Sequence, residues 1–151
     1  MTRVDFYILN TSDAAARIEL VCKLIDKASM RGQRVFVHSD DLELLKSLDQ
    51  SLWQFRPERF IAHRLIENQS STNQLVAEDT EDELEAVTLS NAAPARNDAI
   101  LINLSSSVPV FFSRFERTLE VVDQQDSIRL EGRSRYRFYQ ERGYPLQHHN
   151  L

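Results

Sequence analysis

Apolar positions change period several times along this chain, and each change marks an element. Arg3-Val-Asp-Phe-Tyr-Ile-Leu9 is β-branched and aromatic, which predicts a strand. Asn10, Thr11, Ser12 and Asp13 follow, and any of the last three suits a helix N-cap. From Ala14 onward Ile18, Val21, Leu24, Ile25 and Ala28 recur at helical spacing, with Lys23, Asp26 and Lys27 between them. That helix is expected to reach about Met30 and to stop at Gly32, a suitable C′ residue. Arg34-Val-Phe-Val-His38 is a short apolar run of the kind buried in parallel sheets. Ser39 and Asp40 are capping residues for a second helix, lined by Leu42, Leu45, Leu48 and Leu52.

Strand, helix, strand, helix is a βαβ start, so the class is α/β. Right-handed crossovers then favour a mostly parallel sheet with helices on its faces. A short strand is expected at Phe60-Ile-Ala-His-Arg-Leu65. The stretch 67–96 reads as a polar insertion containing an acidic run, 78–85, with six acids in eight residues. Ala86-Val-Thr-Leu89 fits an edge strand inside it. Ala99-Ile-Leu-Ile-Asn-Leu104 is another core strand. Pro109 suits the first turn of a helix that Phe112, Phe115, Glu116 and Leu119 would continue. Glu120-Val-Val-Asp123 predicts a short strand. Asp126 or Ser127 would cap a last helix ending near Arg142, with Gly143 at C′.

Composition narrows the chemistry. The chain has 151 residues, enough for one domain with a substantial core. Its three glycines, Gly32, Gly132 and Gly143, are too scattered for a phosphate-binding loop. The single cysteine, Cys22, makes no intrachain disulfide, in keeping with a reducing cytoplasm. No apolar run reaches the roughly 18 residues of a membrane span. The four histidines, His38, His63, His148 and His149, lack the spacing of a metal site, so no metal is expected. His148 and His149 are expected in solvent. His38 ends a predicted parallel strand beside Ser39 and Asp40. A Ser-His-Asp site is conceivable there, but capping and a partly buried histidine are the simpler roles. Cys22 reads as a buried, inert thiol.

Two constellations stand out. Between Arg129 and Arg142 lie five arginines and two acids, a local charge of +3 in a chain whose total is -5. At 100° per residue, Arg129, Arg133, Tyr136, Arg137 and Gln140 share a sector of about 100°, while Ile128, Gly132 and Tyr139 fall on another side. Such a ridge suits an acidic peptide, suits nucleic acid, or is a solvated face balanced by the acidic run. The second constellation is Leu52-Trp-Gln-Phe-Arg-Pro-Glu-Arg-Phe60, with the only tryptophan and two phenylalanines around a proline. It reads as an interface loop or as a cap on the core.

The chain resembles the chi-subunit family of bacterial DNA polymerase III. The resemblance rests on Phe6-Tyr-Ile-Leu9, Gly32-Gln-Arg-Val35, Leu48-Asp-Gln-Ser-Leu-Trp53 through Pro57-Glu-Arg-Phe60, and Asn97-Asp-Ala-Ile-Leu-Ile-Asn-Leu104. It continues in Phe115-Glu116 and Val121-Val-Asp123, and ends in Arg133-Ser-Arg-Tyr-Arg-Phe-Tyr139 and Gly143-Tyr144. It covers about 3–66 and 97–149. It implies a single three-layer Rossmann-like domain over 1–151, variable at about 67–96, without nucleotide, cofactor or catalysis. It implies two partners: the psi subunit of the clamp loader, and the acidic C-terminal tail of single-stranded DNA-binding protein. Contact with DNA would be indirect, and the state a monomer or heterodimer. The family's tail-binding positions match Arg129, Arg133, Tyr136 and Arg137. Arg135 is a weaker member, and Val122 is a candidate apolar lining. The psi-contact positions match Trp53 and Phe60, with Pro57 and Arg56 nearby. The alternative function is direct nucleic-acid binding through the same helix.

Overall fold

The computed structural model describes residues 1–55, 63–67, 86–95 and 99–151. In chain order its elements are β1 (Arg3–Ile8), α1 (Ala14–Met30), β2 (Val35–His38), α2 (Leu42–Gln54) and β3 (His63–Ile66). Then come β4 (Val87–Ser90), β5 (Ile100–Asn103), β6 (Arg117–Val122), α3 (Asp126–Glu141) and β7 (Leu146–Asn150). The seven strands form one sheet in the order β3-β4-β2-β5-β6-β1-β7, and every pairing is parallel. This is the α/β arrangement that the strand–helix alternation predicts and the Rossmann-like fold that the resemblance implies.

Strand alternation divides the core in two. Val35, Val37, Val87, Leu89, Ile102, Leu119 and Val121 face α1 and α2. Val4, Phe6, Phe36, Leu101 and Val122 face the other way, toward Tyr139 of α3 and the loop phenylalanines Phe111, Phe112 and Phe115. The sheet is thus the middle of three layers. Asp13 caps α1 by accepting from the Ala15 amide at 3.0 Å. Gly32 ends that helix at φ +71°, and Gly143 follows α3 at φ +77°, both left-handed values that favour glycine.

Several expectations need correcting. The cap of α2 is Asp41, which accepts from Glu43 and Leu44, because Ser39 is buried and its Oγ accepts from the Asp41 amide. The helix expected after Pro109 is only one 3-10 turn, Phe112–Arg114, and β6 starts at Arg117. The strand expected from Glu120 is found, and it begins three residues earlier. Ala86–Leu89 does not form an edge: β4 lies between β3 and β2, with Val87 and Leu89 buried. The strand expected at 60–65 is described only from His63, at β3; 56–62 and the acidic run 78–85 lie outside the described residues.

β7 was not foreseen, since Leu146-Gln-His-His-Asn150 carries little apolar alternation. His149 is consequently not free in solvent: its ring stacks on Tyr7 at 4.6 Å, and Nε2 lies 3.4 Å from Asp5 Oδ1. Among the described residues, no helix is long and apolar enough to cross a membrane.

Candidate protein-interaction surfaces

α3 owes its position to a buried polar cluster. Glu120, in the middle of β6, is fully buried. Its Oε1 accepts from Arg135 Nε at 2.8 Å, and its Oε2 accepts from Tyr139 Oη at 2.7 Å and from Asn103 Nδ2 at 2.9 Å. Arg135 also donates from Nη1 to the Ser106 carbonyl at 3.1 Å. Burial and the Glu120 charge push the Tyr139 hydroxyl far above its ordinary pKa, so it stays a donor. A buried carboxylate needs such partners, and all three bonds converge on it. Higher on the helix, Gly132 lies directly over Val122: a Cβ there would stand 2.9 Å from Val122 Cγ2. The glycine permits close approach of helix to sheet, which offsets its cost of about 1 kcal/mol against Ala in a helix.

This arrangement sorts the arginines. Arg133 and Arg137 are exposed, Arg129 is half-buried, and Tyr136 is half-buried with its ring 5.1 Å from that of Phe6, edge on. Arg129 Nη2 lies 3.3 Å from Asp126 Oδ1, one turn earlier. These residues make a cationic face around one aromatic ring. Arg135 does not belong to it. At 3 % exposure it points into the core, where Glu120 holds it, so it is removed from the set of exposed contacts. Its wheel position, on the side of Ile128 and Tyr139, was the available signal. An acid inside the run Leu119–Val122 was the other, because it demands a buried partner. Val122 is 5 % exposed beneath Gly132 and in the same cluster as Ile8, Ile128 and Tyr136.

The second surface lies at the end of α2. Trp53 is 53 % exposed, in the helix's last turn rather than in a loop. One side of its ring meets the His63 ring at 4.4 Å, and His63 Nε2 lies 3.1 Å from Asp49 Oδ1. α2 and β3 therefore hold the indole. Beside the same turn, a groove of about 210 Å³ between α1 and α2 is lined by Ile18, Cys22, Ser51, Gln54 and Phe55. Burial pushes the Cys22 thiol up to about 11, as expected for an inert thiol. Arg56, Pro57 and Phe60 lie outside the described residues.

The residues around His38 do not assemble as a triad. Its Nδ1 lies 3.2 Å from the Ser90 carbonyl, Ser39 Oγ bonds the Asp41 amide, and Asp40 accepts from Ser106 Oγ at 3.0 Å. Burial lowers the His38 pKa, which favours the neutral ring.

The family model described as DNA polymerase III chi subunit, HolC, matches residues 1–147. The chain belongs to this chi-subunit family. It is 40 % identical over 152 residues to the DNA polymerase III subunit chi of Pseudomonas aeruginosa, covering 100 % of this chain and 98 % of that one. It is 28 % identical over 150 residues to the subunit chi of Escherichia coli and 25 % over 147 to that of Haemophilus influenzae, covering 97 % of this chain and 96 % of each relative. Membership in the chi family places the chain in DNA replication. The match includes both surfaces, α3 and the end of α2.

Proposed function

We propose that the chain is a non-catalytic, cytoplasmic accessory subunit of the DNA polymerase III holoenzyme. It joins the clamp loader, through the psi subunit, to the acidic C-terminal tail of single-stranded DNA-binding protein. The observation that carries this reading is the sorting of the α3 arginines. Arg129, Arg133 and Arg137 present their charge around Tyr136 at the surface, while Arg135 is consumed in holding the helix. Guanidinium forks pair with carboxylates bidentately, and a ring beside them shelters an apolar side chain, with Val122 and its neighbours beneath. Trp53, with Arg56, Pro57 and Phe60, is assigned to psi. The subunit then binds as a monomer or within a heterodimer, needs no cofactor or metal, and meets DNA through its partner. A chain with net charge -5 and a ridge of three arginines, one of them half-buried, is poorly built to wrap nucleic acid directly.

Calorimetric titration with a synthetic acidic peptide that ends in a free carboxylate after an aromatic residue tests the tail reading. Removing the terminal residue is expected to weaken binding at least tenfold. Equal affinity of the two peptides sinks the carboxylate assignment, and tighter binding of single-stranded DNA than of either peptide favours the nucleic-acid reading. For the second surface, Trp53→Ala is expected to abolish co-purification with psi while peptide affinity stays unchanged. Loss of both activities would mean that the indole serves the core.

A further inference from the structure

β7 closes one edge of the sheet, and among the described residues it pairs only with β1. In a parallel pair, alternate residues turn both backbone polar groups toward one neighbour, and the residues between turn theirs away. Two bonds fix the frame here. The Val4 amide donates to the Pro145 carbonyl at 2.9 Å, and the Leu151 amide donates to the Ile8 carbonyl at 2.9 Å. Pro145, Gln147, His149 and Leu151 therefore face β1. Leu146, His148 and Asn150 turn their amides and carbonyls outward, a row that matches an incoming extended chain.

The position of α3 gives this row a partner. Leu146, His148 and Asn150 stand opposite Val4, Phe6 and Ile8, on the side of the sheet that α3 covers. One flank of α3 is already occupied: Arg135 bonds Ser106 and Glu120, and Phe138 packs on Phe112 with ring centroids 6.0 Å apart. Tyr136, from the opposite flank, rests on Phe6 of β1. Arg129 and Arg133 share that flank, so the cationic ridge overhangs β1 on the β7 side.

We propose that an acidic peptide binds as an eighth strand along β7. Its backbone would bond the outward groups of Leu146, His148 and Asn150, and its alternate side chains would turn up to Arg129 and Arg133. This rests on the tail reading above and deepens it. An added strand lies about 4.8 Å beyond β7, within reach of extended guanidinium groups on the neighbouring helix. Charge complementarity selects the occupant. A second copy paired on the same edge would set two arginine ridges against each other.

His148→Pro is the direct test. It removes an outward amide and spares the β1 ladder, and proline is tolerated on an edge strand whose N–H faces solvent. The acidic peptide is expected to bind this variant at least tenfold more weakly, with an unchanged melting temperature. A measurement on the unmodified chain stands beside it, in case the variant folds poorly. Saturation with the peptide is expected to slow amide hydrogen exchange at His148 and Asn150 at least tenfold. Unchanged exchange at those amides, or normal binding by a folded His148→Pro variant, overturns the strand while leaving the ridge reading intact. Failure of the unmodified chain to bind the peptide overturns both. Protection that appears on concentrating the protein without peptide gives the edge to a second copy and also overturns the proposal.

Discussion

Arg135→Ala is expected to lower the unfolding free energy by about 3–5 kcal/mol, the usual cost of removing one partner from a buried ion pair. The size follows from what is left behind. Glu120 is fully buried, and Arg135 supplies the only cation bonded to it among the described contacts. Asn103 and Tyr139 are neutral donors, so they solvate the carboxylate without compensating its charge. Domains of this kind are stable by roughly 5–15 kcal/mol in all, so the loss is a large share of the total. A urea titration reads the loss directly, and the melting temperature should fall by roughly 6–20 °C at 2–4 °C per kcal/mol. A loss below about 1 kcal/mol would mean that Glu120 finds another partner, and that the cluster does not anchor α3.

The same cluster shows where a sequence is legible and where it is not. β1, α1, β2, α2 and β5 announce themselves, because each is a run of one period bounded by a cap or a turn. Gly32 and Gly143 mark helix ends for a local reason, a left-handed backbone that other residues adopt at a cost. What was misplaced or missed depends on distant residues. β6 was expected only from Glu120, and its first half was read as helix, because Phe112, Phe115 and Leu119 keep helical spacing while the strands that extend it, β1 and β5, are set by the fold. β4 was expected at an edge because strand order is set by crossovers and not by composition. β7 has almost no pattern of its own, and it is a strand because β1 offers it an edge.

The two surfaces divide in the same way. The ridge on α3 was visible because helical spacing alone gathers Arg129, Arg133, Tyr136 and Arg137. The spacing also puts Arg135 on the inner side with Tyr139, although the resemblance counted it as a weaker member of the ridge. Only the buried Glu120 explains why a guanidinium goes inward. The Trp53 cluster was visible as composition, and the structure adds that the indole stands half-exposed against His63 on a helix end.

Arg133→Ala is expected to leave the fold untouched and to damage binding. Arg133 is exposed on α3, and substitutions at such positions usually change stability by less than about 0.5 kcal/mol. A hydrogen bond from a guanidinium to a carboxylate contributes about 1.5–3 kcal/mol, so affinity for the acidic peptide should fall roughly ten- to hundredfold. The loss should shrink as salt rises, because exposed charges are screened over about 10 Å at 0.1 M salt. Arg129→Ala should cost less, since Asp126 already shares its guanidinium. Unchanged affinity in Arg133→Ala would remove it from the site. The contrast with Arg135 is the sharper criterion. The two arginines are two positions apart on one helix, with the same charge and side chain. If the assignment holds, Arg133→Ala loses peptide and keeps its melting temperature, whereas Arg135→Ala loses stability before any direct effect on binding can be read. If both variants lose stability equally, α3 carries no separate recognition face, and the ridge is merely the solvated side of a structural helix.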